Sequence, residues 1–103
     1  MKKLIRDGKV AVLVSPGYGA GWYTWHDSLE LLFDPEIVRL VEDGKNHLIG
    51  EYVLRAYPDQ HFYLGGADTL EVEWVPTGEK FRISEYDGSE HLTLESEQQW
   101  LTA

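Results

Sequence analysis

Val10, Ala11, Val12, Leu13 and Val14 form an unbroken apolar run. Consecutive apolar positions predict a strand covered on both faces, so residues 9–15 are expected at the centre of a sheet. Residues 2–6 read as a short strand before it. Asp7-Gly8 joins the two as a two-residue hairpin turn, where positive φ suits Gly and is tolerated by Asp. The run 16–21, Pro-Gly-Tyr-Gly-Ala-Gly, then breaks regular structure.

Helical spacing follows. Asp27 and Ser28 can cap a short helix ending near Phe33. Asp34 caps a clearer one. Pro35 stands at its first position, Glu36 complements the dipole, and Gly44 fits the position past the end. Ile37, Val38, Leu40 and Val41 make its apolar stripe. Residues 46–57 repeat the pattern with Leu48, Ile49, Tyr52, Val53 and Ala56, and Pro58 ends it. Gly50 inside that helix costs about 1 kcal/mol relative to Ala, which predicts close packing there.

Residues 60–68 form a loop around Gly65-Gly66. Beyond it the period changes to two. Leu70, Val72 and Trp74 alternate with Glu71 and Glu73. Phe81 and Ile83 alternate with Arg82 and Ser84, and Leu92 and Leu94 with His91, Thr93 and Glu95. Turns at 76–79 and at Asp87-Gly88 make this an antiparallel meander with one wet face. A last helical turn in 96–103 is expected to bring Trp100 and Leu101 back to the core. The order is ββ-αα-βββ. It predicts an α+β fold in one domain, residues 1–103, with a mostly antiparallel sheet and two or three helices packed on it.

Composition narrows the chemistry. The chain has 103 residues, enough for one core without staples, and no cysteine. Disulfides, thiol nucleophiles and cysteine-held metals are thereby excluded. The net charge of −9 disfavours direct binding to nucleic acid, whose phosphates are neutralised by Lys and Arg. Arg6, Asp7 and Lys9 interrupt the apolar stretch that a signal peptide needs, and no run approaches the roughly 18 apolar residues of a membrane span. The expected location is the cytoplasm, with no membrane partner.

The least ordinary segment is 15–26. Three glycines alternate after the central strand, and Tyr18, Trp22, Tyr23, Trp25 and His26 follow within nine residues. Glycines could bare N–H groups to a phosphate, but neither dinucleotide nor P-loop spacing is present, and no Lys or Arg lies between Lys9 and Arg39. Trp, Tyr and His on a glycine-flexed loop have the composition of a protein-binding hot spot. The same tryptophans could also plug the core.

Nine acids against Lys80 and Arg82 put −7 of the net charge on residues 68–97. Alternation predicts that Glu71, Glu73 and Glu95 share an outer face, with Glu85 contributing to it. Such a face suits a basic partner, or it is a solvated surface. Catalysis has little support. His26, His47, His61 and His91 lie on four elements without metal-ligand spacing. Asp59, His61 and Asp68 flank one loop, an arrangement that mostly faces water. Ser15 departs from the nucleophile-elbow motif at Pro16 and has no placed acid behind His26. No catalytic residue, metal or cofactor is expected.

The run IRDGKVAVLVSPGYGAGW, residues 5–22, resembles the N-terminus of a group of small uncharacterised proteins from tailed bacteriophages and prophages. Residues 32–35 (LFDP), 72–76 (VEWVP) and 82–88 (RISEYDG) extend that resemblance. It brings no activity and no catalytic residues. It implies a small acidic protein that binds a host protein, such as a polymerase, nuclease or defence factor, in the bacterial cytoplasm. The competing expectations are a small-ligand (nucleotide or sugar) binder or small enzyme using the Gly17 to Gly21 loop, and a self-associating structural protein, for which a symmetric homodimer would cover the sheet edge.

Overall fold

The computed structural model describes residues 1–97 and Ala103. Strand β1 (Ile5–Arg6) and strand β2 (Lys9–Val14) meet through the Asp7-Gly8 turn, where φ is +53° and +76°. Helices α1 (Tyr23–His26), α2 (Leu29–Phe33), α3 (Pro35–Glu42) and α4 (Ile49–Ala56) follow. Strands β3 (Glu71–Pro76), β4 (Phe81–Tyr86) and β5 (Ser89–Leu94) complete the order. The fold is α+β, in the order read from the sequence. No helix among the described residues is long and apolar enough to cross a membrane. The expected return of Trp100 and Leu101 to the core lies outside the described residues.

Among the described residues the five strands form two antiparallel sheets rather than one. Strand β3 pairs with β2 over six residues, from Lys9 opposite Pro76 to Val14 opposite Glu71, and the sheet order is β1-β2-β3. Strands β4 and β5 form a separate hairpin closed by Asp87-Gly88. The meander therefore breaks between β3 and β4. Pro76 lacks the N–H to extend the ladder, and Gly78, at φ +86°, lets the chain leave the sheet plane.

This break explains why β2 is apolar at every position from Val10 to Val14. Ala11 and Leu13 pack with Trp22, Leu31, Ile37, Val38, Ile49 and Val53 on the helical side. Val12 and Val14 pack with Leu32, Phe33 and Val75, and the hairpin's Phe81, Ile83, Leu92 and Leu94 close over them. The layers are helices, three-stranded sheet and hairpin. Burial of each Leu, Ile or Val across β2 contributes about 1.5–3 kcal/mol. Two exposed strands alone would be marginal, so the hairpin depends on this apolar floor.

The helix signals act as written. Ser28 Oγ accepts from Leu31 N at 3.3 Å, and Asp34 Oδ1 accepts from Glu36 N at 2.8 Å and Ile37 N at 3.2 Å. Residues 46–48 form a 3-10 turn before α4. At Gly50 the close packing expected from the sequence is absent, since a Cβ there would meet open space.

Candidate functional site

The glycine–aromatic segment is anchored before it is exposed. Glu90 on β5 is 1% exposed, and its carboxylate grips both ends of the segment. It accepts from Ser15 N at 3.0 Å, from Thr24 N at 2.8 Å and from Thr24 Oγ1 at 2.6 Å. Glu90 N donates to Ser15 O, Gly19 N to Asp87 O at 2.6 Å, and Ser89 Oγ to Pro16 O at 2.6 Å. Glycine is needed where these chains touch. A Cβ on Gly66 would lie 2.3 Å from Gly21 O, and one on Gly88 would lie 2.4 Å from Ala20 N.

Within this frame the five aromatic positions separate. Trp22 is fully buried, its Nε1 donating to Leu31 O at 3.1 Å. It is a core residue and no contact for a partner, because a ring filling the junction of α2, β2 and α4 is worth more inside than out. Tyr23 is half-buried against the hairpin-side core. His26 is half-buried, edge-on to Trp22 at 4.7 Å and 5.9 Å from Phe62. Its Nδ1 accepts from Ser28 N at 2.9 Å, which leaves the proton on a buried Nε2 with no partner among the described residues. Burial, opposed by Glu90 and Asp27, pushes the imidazole down to about 4. Tyr18 and Trp25 face outward, Tyr18 at 78% exposure and Trp25 at 40%.

Trp25 does not stand alone. Tyr63, 49% exposed, lies against it with ring centroids 5.0 Å apart, and Glu85 Oε2 is 3.5 Å from the indole Nε1. Glu85 is itself fixed by accepting from Gly88 N at 2.8 Å. Phe62, next in chain to Tyr63, packs between His26 and Tyr57 and holds the loop down. The result is a ring pair with a carboxylate at its edge. Tyr63 was missed in the sequence, although His61-Phe62-Tyr63 before Gly65-Gly66 repeats the aromatic–glycine composition of residues 15–26.

The acidic residues do not make one face. Glu71 and Glu73 sit exposed on β3, beside His91 and the edge of the hairpin. Glu85 turns toward Trp25, and Glu95 opens the 3-10 turn after β5. The cause is the break between β3 and β4, which prevents alternation from running across one sheet. What survives is local. Residues 16–27, 59–66 and 84–89 build the aromatic surface and carry Asp27, Asp59, Glu85 and Asp87 without a single Lys or Arg.

The other candidate groups do not come together among the described residues. Ser15 is buried, donates to Ala20 O and lies 2.6 Å from Thr69 Oγ1, so it is not paired with His26. Asp59, His61 and Asp68 are exposed, and among the described residues no three acidic or histidine side chains gather for a metal ion. Two N–H groups of the glycine segment, those of Ser15 and Gly19, are taken by Glu90 and by Asp87 O, surroundings that repel an anion. Compared with family models, with characterised proteins and with solved structures, the chain matches none.

Proposed function

We propose that the protein is a non-enzymatic binding protein that holds a basic segment of a partner protein on the Trp25–Tyr63–Glu85 surface. The observation that carries this reading is the exposed ring pair with a carboxylate at its edge, on segments that bear four acids and no cation. An Arg or Lys side chain laid over the rings gains cation–π attraction and a charge-assisted hydrogen bond to Glu85. Arg suits such a site best, because its guanidinium stacks on rings while donating in plane. The resemblance to phage proteins supports a host protein as the partner. Nucleic-acid-handling and defence factors present the Lys- and Arg-rich surfaces that an acidic, aromatic patch would cover.

The test is affinity capture from bacterial lysate with wild type and with Trp25→Ala. The reading expects one dominant protein, retained at low salt, weakened at high salt and lost from the variant. A buried aromatic anchor is worth about 2 kcal/mol or more, which is about thirtyfold in affinity. Equal retention by a folded Trp25→Ala protein contradicts the assignment of this surface.

A further inference from the structure

Among the described residues strand β4 has one strand neighbour, β5, and its other edge is open. The hairpin register says which groups that edge offers. Tyr86 and Ser89 flank the two-residue Asp87-Gly88 turn and stand opposite each other. They are therefore a hydrogen-bonded pair, and the positions of β4 bonded to β5 are Tyr86, Ser84 and Arg82. The N–H and C=O groups of Phe81, Ile83 and Glu85 point the other way, out of the hairpin. Strand β5 obeys the same parity. Glu90, opposite Glu85, turns its N–H outward and gives it to Ser15 O at 2.9 Å. The chain itself thus meets the β5 edge. The β4 edge keeps a row of donors and acceptors with no partner among the described residues.

The side chains along that edge alternate. Phe81 and Ile83 face the core and stay half-buried. Glu85 follows on the same face and reaches Trp25. Its Oε2 accepts from Gly88 N, and its Oε1 has no partner among the described residues. Arg82, Ser84 and Tyr86 are exposed on the opposite face. A carboxylate on the inner face of an open edge acts as a guard, because a strand that sets an apolar or acidic side chain opposite it meets a cost. A second copy of β4 meets that cost. Antiparallel pairing about a twofold axis joins residues of equal parity, so Glu85 would face Phe81, Ile83 or another Glu85 and never Arg82. The net charge of −9 opposes self-pairing further. The occupant with complementary charge is a strand that brings Arg or Lys opposite Glu85.

We infer that the open edge of β4 takes an extended segment of a partner protein as an added antiparallel strand, with a basic residue opposite Glu85 and apolar residues opposite Ile83 and Phe81. From its N-terminus the segment reads basic-x-apolar-x-apolar. Backbone bonds to Ile83 and Glu85 supply affinity, and the alternating side chains supply selectivity. The inference rests on the reading of the Trp25–Tyr63–Glu85 surface as a seat for a basic side chain, and it adds how the backbone that carries that side chain is held.

The test titrates the wild-type chain with acetyl-Arg-Thr-Val-Thr-Val-amide and follows backbone amides and the Trp25 indole by NMR. Two further peptides carry one N-methyl group each, on the central Val or on the first Thr. In the added strand the central Val N–H faces Ile83 O and the Thr N–H faces away, so the pair changes the backbone bond and keeps every side chain. The expected result is saturable binding that slows hydrogen exchange at the Ile83 and Glu85 amides by about tenfold or more, with little change at Ser84 and Tyr86, which already bond to β5. The Thr-methylated peptide should bind as the parent does. The Val-methylated one should bind about tenfold or more weakly. A peptide that moves the Trp25 signal but binds equally with the Val methyl group, or leaves exchange at Ile83 and Glu85 unchanged, overturns strand addition and leaves the Trp25 surface standing. No saturation and a silent Trp25 overturn both. Equal binding of a peptide with Glu in place of Arg overturns the pairing with Glu85. Protection of both amides that rises with protein concentration, without peptide, makes a second copy the occupant and overturns the proposal.

Discussion

Two residues show how far chemistry at one side chain sets this structure. Glu90 places a carboxylate in the interior, where it is tolerable only because three donors converge on it. Replacing it with Ala strands two backbone N–H groups and a hydroxyl. Glu90→Ala should cost about 3–5 kcal/mol in denaturant unfolding, and a loss under about 1 kcal/mol would show that the clamp is dispensable. His26 gives a pH signature. Its folded pKa is about 4, against 6.5 for the free side chain. Below pH 6.5 the unfolded chain takes up a proton that the folded one refuses. Stability is thus fully present above pH 6.5 and falls until pH reaches about 4. His26→Phe should flatten that decline relative to wild type; parallel curves would show that the imidazole is not held neutral. Glu90 was legible in the sequence and overlooked. It shares the parity of Leu92 and Leu94, so alternation alone turns it inward. Its three partners come from residues 66 to 75 positions away, which no local pattern reveals.

At the scale of elements, local chemistry was the readable part. Both Asp-Gly turns adopt the positive φ values their residues favour, and Asp34-Pro35 starts α3 as its capping signals require. The unbroken apolar run of β2 correctly announced cover on both faces; the second cover is the β4–β5 hairpin together with Leu32 and Phe33 of α2. Strand partners were not readable, because β3 and β4 carry the same period-two pattern whether or not they pair. Gly50 marks the limit of reading a glycine as a packing signal. Its α4 position is open, so Gly50→Ala should raise stability by about 0.5–1 kcal/mol. Gly66→Ala, in contrast, drives a methyl into Gly21 O and should destabilise the fold. A stabilised Gly66→Ala protein would mean that the two glycine segments do not touch.

Across the whole molecule, the two glycine–aromatic loops converge on one end of the hairpin because Glu90 and the Gly21–Gly66 contact lock them there. Trp22 is spent inside as core, and Trp25 is left outside with Tyr63 and Glu85. On the function proposed above, the net charge of −9 would act over distance on a basic partner, with a force that salt screens. The most direct measurement uses the indole N–H signals of Trp22 and Trp25 in one NMR titration with a short peptide of arginine and glycine. Trp22, bonded to Leu31 O in the core, serves as the internal reference. The account predicts that the Trp25 signal moves saturably, reverts as salt is raised and stays still in Glu85→Gln, while Trp22 does not respond. A Trp25 signal that stays unmoved, or moves no more than that of Trp22, would contradict it.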